Sequence, residues 1–238
     1  MAKIELERLI SKRGLLSRKE AALAILKGTV KVNGLVCKVP LTYVDHRSNI
    51  EIEGQKAIEQ QKHYLLLNKP KGLVTTRSDE KGRPTVYECL KNWNGPLVQA
   101  VGRLDQASEG LLFFTNDHVW ADKLMDPKTH VTKIYHVHTT PVPTEEILEK
   151  LSKGITLEGK KTLPAKFELI RSGEKNGWIE VHLNEGRNRQ IRKMLESENI
   201  EVMRLIRIQV GEIKLGDLSK SEWREFTTEE MTLMKTSR

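Results

Sequence analysis

Hydrophobic and polar positions alternate along this chain in two registers, one short and helical, the other strand-like. Near the start, Leu6, Leu9, Ile10 and then Leu15-Leu16 give a short helical face. Ser17 stands three residues before Glu20, the S-x-x-E pattern of a capping box. The spacing predicts a helix over Arg18 to Lys27, with Gly28 as its stop. Thr29 to Val32 alternates like a strand, Asn33-Gly34 is a two-residue hairpin signal, and Val36 to Val39 reads as the return strand. Ser48 to Ile52 reads as another strand. Gly54 to Lys62, GQKAIEQQK, is polar and unpatterned and reads as a linker long enough to let the preceding module move.

The remainder, 63–238, reads as one larger domain. His63 to Leu67 is a strand, Asn68-Lys69-Pro70-Lys71-Gly72 a turn, and Leu73 to Thr76 strand-like. Ser78 to Pro84 is a charged loop and Val86 to Trp93 a short helix. Leu111-Leu112-Phe113-Phe114-Thr115 has the length and type of a buried strand. A helix over Trp120 to Met125, a loop and an alternating strand over Lys133 to His138 follow. Thr144 to Gly154 reads as a capped helix, with Thr144 as N-cap and acids in its first turn. Residues 155–172 alternate in strand fashion, Trp178 to Leu183 is a strand, and Arg187 to Met194 opens a helix. Strands over Val202 to Val210 and Glu212 to Leu215, then Trp223 to Phe226 and a polar tail, complete the chain.

Composition narrows the function. The 238 residues carry a formal net charge of +8, which favours a polyanionic partner. No apolar run approaches the roughly 18 residues of a spanning helix. The first residues carry acids and lack an apolar core, so a cytoplasmic protein without a secretory signal is expected. Cys37 and Cys89 lie far apart and form neither a disulfide framework nor a metal motif. The histidines lack paired-ligand spacing, although His136 and His138 share one strand face, so no metal is expected. Aromatics are only 5%, so if the polyanion is a nucleic acid rather than an anionic membrane surface, affinity is expected from Lys and Arg rather than from stacking platforms.

The chemistry concentrates in Val101 to Asp117, VGRLDQASEGLLFFTND. Gly102 lets the backbone bend, and Asp105 and Arg103 sit in a polar loop fastened to an apolar strand. An ionised Asp there is able to act as base or oxygen nucleophile, though an isolated Asp more often caps a turn or pairs with a surface Arg. GRLDQASEGLLFFTND resembles the GRLDxx[TS]xGLLLLTNDG signature of the RsuA-type ribosomal RNA pseudouridine synthase family, with Ser108 in place of the commoner Thr and His118 in place of the final Gly. NKPKG at 68–72, K-x-Y at 133–135 and NEGRNRQIRKM at 184–194 resemble its other motifs. RLISKRGLLSRKEAALAILKGTVKVNG resembles the S4-like RNA-binding domain.

These resemblances imply an α+β chain: an S4-like RNA-binding domain over 1–53, a linker over 54–62, and a catalytic domain over 63–238. The latter is expected to hold a mixed, mainly antiparallel sheet with flanking helices around a basic cleft. They imply that Asp105 is catalytic, that Arg103 extrudes the nucleotide or holds its phosphate, and that Tyr135 stacks on uracil. Ile191 packs near the base and Arg192 pairs with Asp105. They further imply RNA contact through Arg8, Lys12, Arg13, Arg18, Lys19, Lys27, Lys133, Arg187, Arg189 and Lys193, with NKPKG architectural.

Four cations at a helix start oppose the helix dipole, so a nearby phosphate or carboxylate is expected there. The implied reaction converts a uridine in ribosomal RNA, free or in a pre-ribosomal particle, into pseudouridine without any cofactor, and large-subunit RNA is favoured slightly. It needs the base out of its stack. Whether Asp105 attacks C6, attacks C1′ or removes a sugar proton stays open. A monomer is the default. The alternatives are a non-catalytic RNA-binding or ribosome-assembly factor on the same scaffold, and a methyltransferase, for which no Gly-rich cofactor loop is present.

Overall fold

The computed structural model describes residues 3–56 and 61–236. They fall into two compact units, one built from the segments 1–64, 94–99 and 114–122, the other from 65–93, 100–113 and 123–238. The linker expected at 54–62 lies partly outside the described residues, since 57–60 are not among them.

The first unit starts with strand β1 (Lys3–Glu5) and helices α1 (Leu6–Lys12) and α2 (Arg18–Leu26). Ser17 and Glu20 close the capping box that their spacing predicts: Ser17 Oγ accepts from Glu20 N, and Glu20 accepts from Ser17 N at 2.8 Å. Strands β2 (Val30–Val32) and β3 (Leu35–Cys37) form the hairpin. Its two turn residues, Asn33 and Gly34, take φ of 50° and 85°, the pair of positive angles that a two-residue turn of this hand demands. Strands β4 (Tyr43–Asp45), β5 (Ile50–Ile52) and β6 (Gln55–Lys56) complete the module. Leu6, Ile10, Ala21, Ile25, Val30 and Ile50 pack into its core.

A mixed sheet organises the second unit. It contains β7 (Tyr64–Lys69), β8 (Gln99–Val101), β9 (Glu109–Thr115), β10 (Lys133–Thr140), β13 (Lys166–Ser172), β14 (Gly177–Leu183), β15 (Glu201–Val210), β16 (Ile213–Lys214) and β17 (Trp223–Glu225), while β11 (Thr156–Leu157) and β12 (Lys160–Lys161) pair separately. The strand order is β13-β14-β10-β15-β9-β7-β17, with β16 on β15 and β8 on β9. The β10–β14, β10–β15 and β13–β14 ladders are antiparallel, and β15 meets β9 in parallel. β14 alternates buried and half-buried along its whole length, so Ile179, Val181 and Leu183 face inward. Helices α4 (Glu145–Ser152) and α5 (Gln190–Glu196) lay Leu148, Leu151, Met194 and Leu195 on that face. Thr144 caps α4 by accepting from Ile147 N at 3.4 Å.

Several boundaries move from their sequence expectation. Asn68 and Lys69 extend β7 instead of turning, because Asn68 exchanges backbone hydrogen bonds with Ser221 and Glu222. Leu73 to Thr76 yields only the bridge Val74 to Thr85. The helix expected over Val86 to Trp93 is a shorter 3-10 turn, Val86–Leu90. Helix α3 (His118–Met125) starts earlier than Trp120, as Asp117 Oδ1 accepts from Trp120 N. Residues of the polar tail form α6 (Thr228–Thr236), whose start is closed by reciprocal Thr227 and Glu230 hydrogen bonds.

Candidate active site

The loop between β8 and β9 is held by its main chain, which leaves its side chains free to act. Gly102 turns it at a φ of 71°. Leu104 plugs into the core, with its N–H donating to Thr75 Oγ1 and its carbonyl accepting from the same hydroxyl at 2.7 Å. Gln106 exchanges two hydrogen bonds with Gly72, at 2.7 and 3.1 Å. The carbonyl of Asp105 accepts from Ser108 N at 2.9 Å, which closes the turn. Beneath it lies Lys69, fully buried, whose ammonium donates to the carbonyls of Ser108 (2.7 Å), Pro70 (3.1 Å) and Asp105 (3.2 Å). Burial pulls its pKa down to about 8, against the upward pull of the Asp105 carboxylate. The NKPKG segment is therefore the clamp of the Asp105 loop.

β9 is fastened on its other side by Gly110. At φ 99°, a Cβ there would come within 2.2 Å of the Arg207 carbonyl, so only glycine permits the parallel β9–β15 contact. Next to it, Glu109 is 3% exposed and receives both Arg204 (3.0 Å, twice) and Lys220 (2.8 Å). The hydrogen bond from Arg204 is the largest cause that holds its carboxyl down at about 2.

Above the loop opens a pocket of about 540 Å³. Asp105, Arg103, Lys133, Tyr135, Arg187, Arg189 and Ile191 all line it, so these sequence-predicted residues converge from separate stretches of chain. Tyr135 is half-buried and leans on the core, and Ile191 is 3% exposed. Arg192 is not in the lining. Its guanidinium donates to Val202 O at 2.9 Å and to Ala107 O at 3.2 Å, while its Nε is buried without a partner. Burial and then Arg189 loosen its proton, and the Asp105 carboxylate works in the opposite sense. Asp105 thus acts on Arg192 through its field, with no hydrogen bond between them among the described residues.

The basic run at 187–193 starts its helix later than the pattern suggests, because Arg189 takes a left-handed φ of 52° as N-cap of α5. Arg187 remains in the loop and spends its donors on Glu185 (3.0 Å) and on the carbonyls of Lys160 and Lys161. Lys193 meets Glu158 at 2.6 Å. The carboxylates expected near these cations are thus Glu185 and Glu158. Arg189 alone of the three is exposed, and its side chain has no hydrogen-bond partner among the described residues.

In the first unit, the expected RNA-facing cations divide likewise. Arg18 pairs with Glu5 (3.3 Å) and Glu7 (2.8 Å), Arg13 donates to His46 O at 2.7 Å, and Lys12 meets Asp122 at 3.3 Å. Arg8, Lys19 and Lys27 are exposed and unpaired among the described residues. In the second unit, His138 stacks on Trp178, with ring centroids 4.8 Å apart, and His136 meets Glu180 at 3.2 Å. Among the described residues no three His, Cys, Asp or Glu side chains form a metal-sized cluster. No helix among them is long and apolar enough to cross a membrane.

Sequence reading overlooked Arg207. It is 8% exposed, lines the pocket and donates from Nε to Leu111 O at 2.7 Å. The available signal was a cation at an inward position of a strand, two residues after the buried Leu205.

Comparison with known proteins gives a consistent picture. Residues 63–197 match the family model described as RNA pseudouridylate synthase. The chain is 37% identical over 232 residues to the ribosomal large subunit pseudouridine synthase B of Bacillus subtilis, covering 97% of this chain and 95% of that one. It is 35% identical to the protein of the same description from Pseudomonas aeruginosa, covering 97% of this chain and 61% of that one. A crystal structure described as pseudouridylate synthase superposes with a TM-score of 0.72 at 28% identity, covering 97% and 99% of the two chains.

Proposed function

Because the chain belongs to the RNA pseudouridylate synthase family, in its RsuA-type branch, we propose that it isomerises a uridine of large-subunit (23S) ribosomal RNA, with Asp105 as the catalytic carboxylate. The observation that carries the assignment is a main-chain-clamped Asp at a pocket whose other charged side chains are cationic except Glu185 and which also presents a tyrosine. The large-subunit target follows the names of the Bacillus and Pseudomonas relatives.

In this reading the target nucleotide is everted, at a cost of a few kcal/mol in a paired region. Tyr135 stacks on the uracil, Ile191 packs at its edge, and Arg103 holds the extruded nucleotide. Arg192 steadies the Asp105 loop through its hydrogen bond to Ala107 O. The N1–C1′ bond opens, the uracil turns, and C5 bonds to C1′. C5 gives up its proton and N1 gains one, so no cofactor is consumed. Residues 1–53 serve as an S4-like RNA-binding domain through Arg8, Lys19 and Lys27, its sheet extended by β6 (Gln55–Lys56), ahead of the 63–238 catalytic domain. Lys133 and Arg189 add contacts at the pocket.

The test uses ribosomal RNA labelled with tritium at uridine C5. The isomerase expels that hydrogen, whereas a scaffold that only binds RNA does not. Mapping pseudouridine in ribosomal RNA with and without the gene then identifies the position. A map unchanged in the large-subunit RNA overturns the proposed target.

A further inference from the structure

Arg207 is a cation buried at a place where the fold gives its terminal nitrogens nothing to hold. Its Nε is engaged by Leu111 O, but its terminal nitrogens make no hydrogen bond or ion pair among the described residues. Lys133, on the neighbouring strand β10, likewise has no carboxylate partner there, and both side chains line the pocket. Of the other carboxylates nearby, Glu109 is engaged by Arg204 and Lys220 and Glu185 by Arg187 and Gln190, while Asp105 lines the same pocket but makes no ion pair with either cation among the described residues. Buried charges are ordinarily paired, because desolvating a lone one is costly. Here two cations crowd each other instead, and burial together with Arg207 weakens the hold of Lys133 on its proton. Such an arrangement persists where a ligand supplies the missing negative charge.

The position specifies which charge. Arg207 is the direct cross-strand partner of Tyr135, the ring that would stack on the base. When the N1–C1′ bond breaks, its electron pair leaves with N1. The detached uracil is then an anion whose charge spreads over N1 and its carbonyl oxygens until C5 bonds to C1′. We propose that Arg207, with Lys133 beside it, holds the negative charge of the detached uracil ring and so lowers the barrier to its release and rotation. This rests on the functional reading above and adds a catalytic residue to it. A guanidinium suits this role because it is planar, stays charged and presents parallel donors to an O–C–N edge. Fixed in advance by its hydrogen bond to Leu111 O, it needs no reorganisation as the charge develops.

Single-turnover tritium release at saturating RNA, filter binding of the same RNA and thermal melting of each variant test the idea. Arg207→Met is expected to slow turnover about 100-fold, the scale for removing one preorganised donor, while RNA affinity changes less than about threefold. Arg207→Lys, which keeps charge but loses the planar fork, is expected to fall in between. Lys133→Met is expected to slow turnover about tenfold, and it keeps the proposal falsifiable if Arg207→Met does not fold. Added guanidinium ion is expected to raise the rate of Arg207→Ala, which a purely structural role would not produce. A folded Arg207→Met with near-wild-type turnover overturns the inference. So does a variant that loses RNA affinity while its saturated rate is kept, since that marks a backbone phosphate as the ligand. An inactive wild-type protein would instead sink the pseudouridine synthase reading itself, so the two failures are distinguishable.

Discussion

Lys69 and Ser108 are 39 residues apart in sequence, yet the buried ammonium of the first donates to the carbonyl of the second at 2.7 Å. The same ammonium reaches the carbonyl of Asp105. A charge sunk in the core thus fixes the backbone of the residue proposed to do the chemistry. Lys69→Met leaves those carbonyls without their donor. It is expected to cost about 2–4 kcal/mol of stability, summed over carbonyls left wholly or partly unsatisfied. Urea denaturation at pH 7 measures it.

Asp105→Asn keeps the size and main-chain contacts of the loop and removes the charge. Turnover in the tritium-release assay is expected to fall by at least about 10³-fold, with RNA affinity within about threefold of wild type, because the proposed phosphate contacts are made by other residues. A variant that turns over at a rate near wild type would exclude Asp105 as the acting group.

Gly110→Ala introduces a Cβ 2.2 Å from the Arg207 carbonyl at a φ that disfavours side chains. Loss of more than about 3 kcal/mol is expected, since backbone must move on both strands. Thermal melting would show it, and unaltered stability would contradict the parallel register of Gly110 and Arg207.

Glu109 has a folded pKa near 2, depressed from an ordinary 4.5. Its ion pairs therefore add stability above about pH 4.5, and that contribution drains away as pH falls toward 2. Arg204 and Lys220 are partly open to solvent, which screens the pairs, so the contribution is on the order of 1–3 kcal/mol. Glu109→Gln should be less stable than wild type by that amount at pH 7, and the gap should narrow steadily in melts taken down to pH 3.

Replacing Arg8, Lys19 and Lys27 together by Gln tests the N-terminal module. The dependence of log affinity on log salt is expected to flatten by about 2–3, one phosphate contact per charge. Saturated turnover should be unchanged. A salt slope identical to wild type would remove these residues from the RNA surface.

Local pattern foretold what local forces decide. Alternation located β10 and β14, the Ser17 and Glu20 spacing located a helix start, and Asn33-Gly34 located a hairpin. The motif stretches also brought Asp105, Tyr135 and Ile191 to one pocket. What escaped notice depends on partners far away in sequence. Lys69 looks like part of a turn until β17 pairs with β7 and draws it inside. Arg187 looks free until a bend at Arg189 leaves it beside Glu185. The last helix was hidden by its polar composition, although Thr227 and Glu230 carried the same capping signal as Ser17 and Glu20.

The meeting of Gly110 with Arg207 has a consequence for how such an enzyme diversifies. Asp105, in the loop that leads into β9, and Arg207, on β15, carry the opposite charges proposed for the reaction, and the bare glycine backbone lets their two strands meet closely. A side chain at position 110 would part the two strands and with them the two charges. On the proposed reading, a change of target then falls to the rim, where Arg189 stands at the start of α5 and lines the pocket.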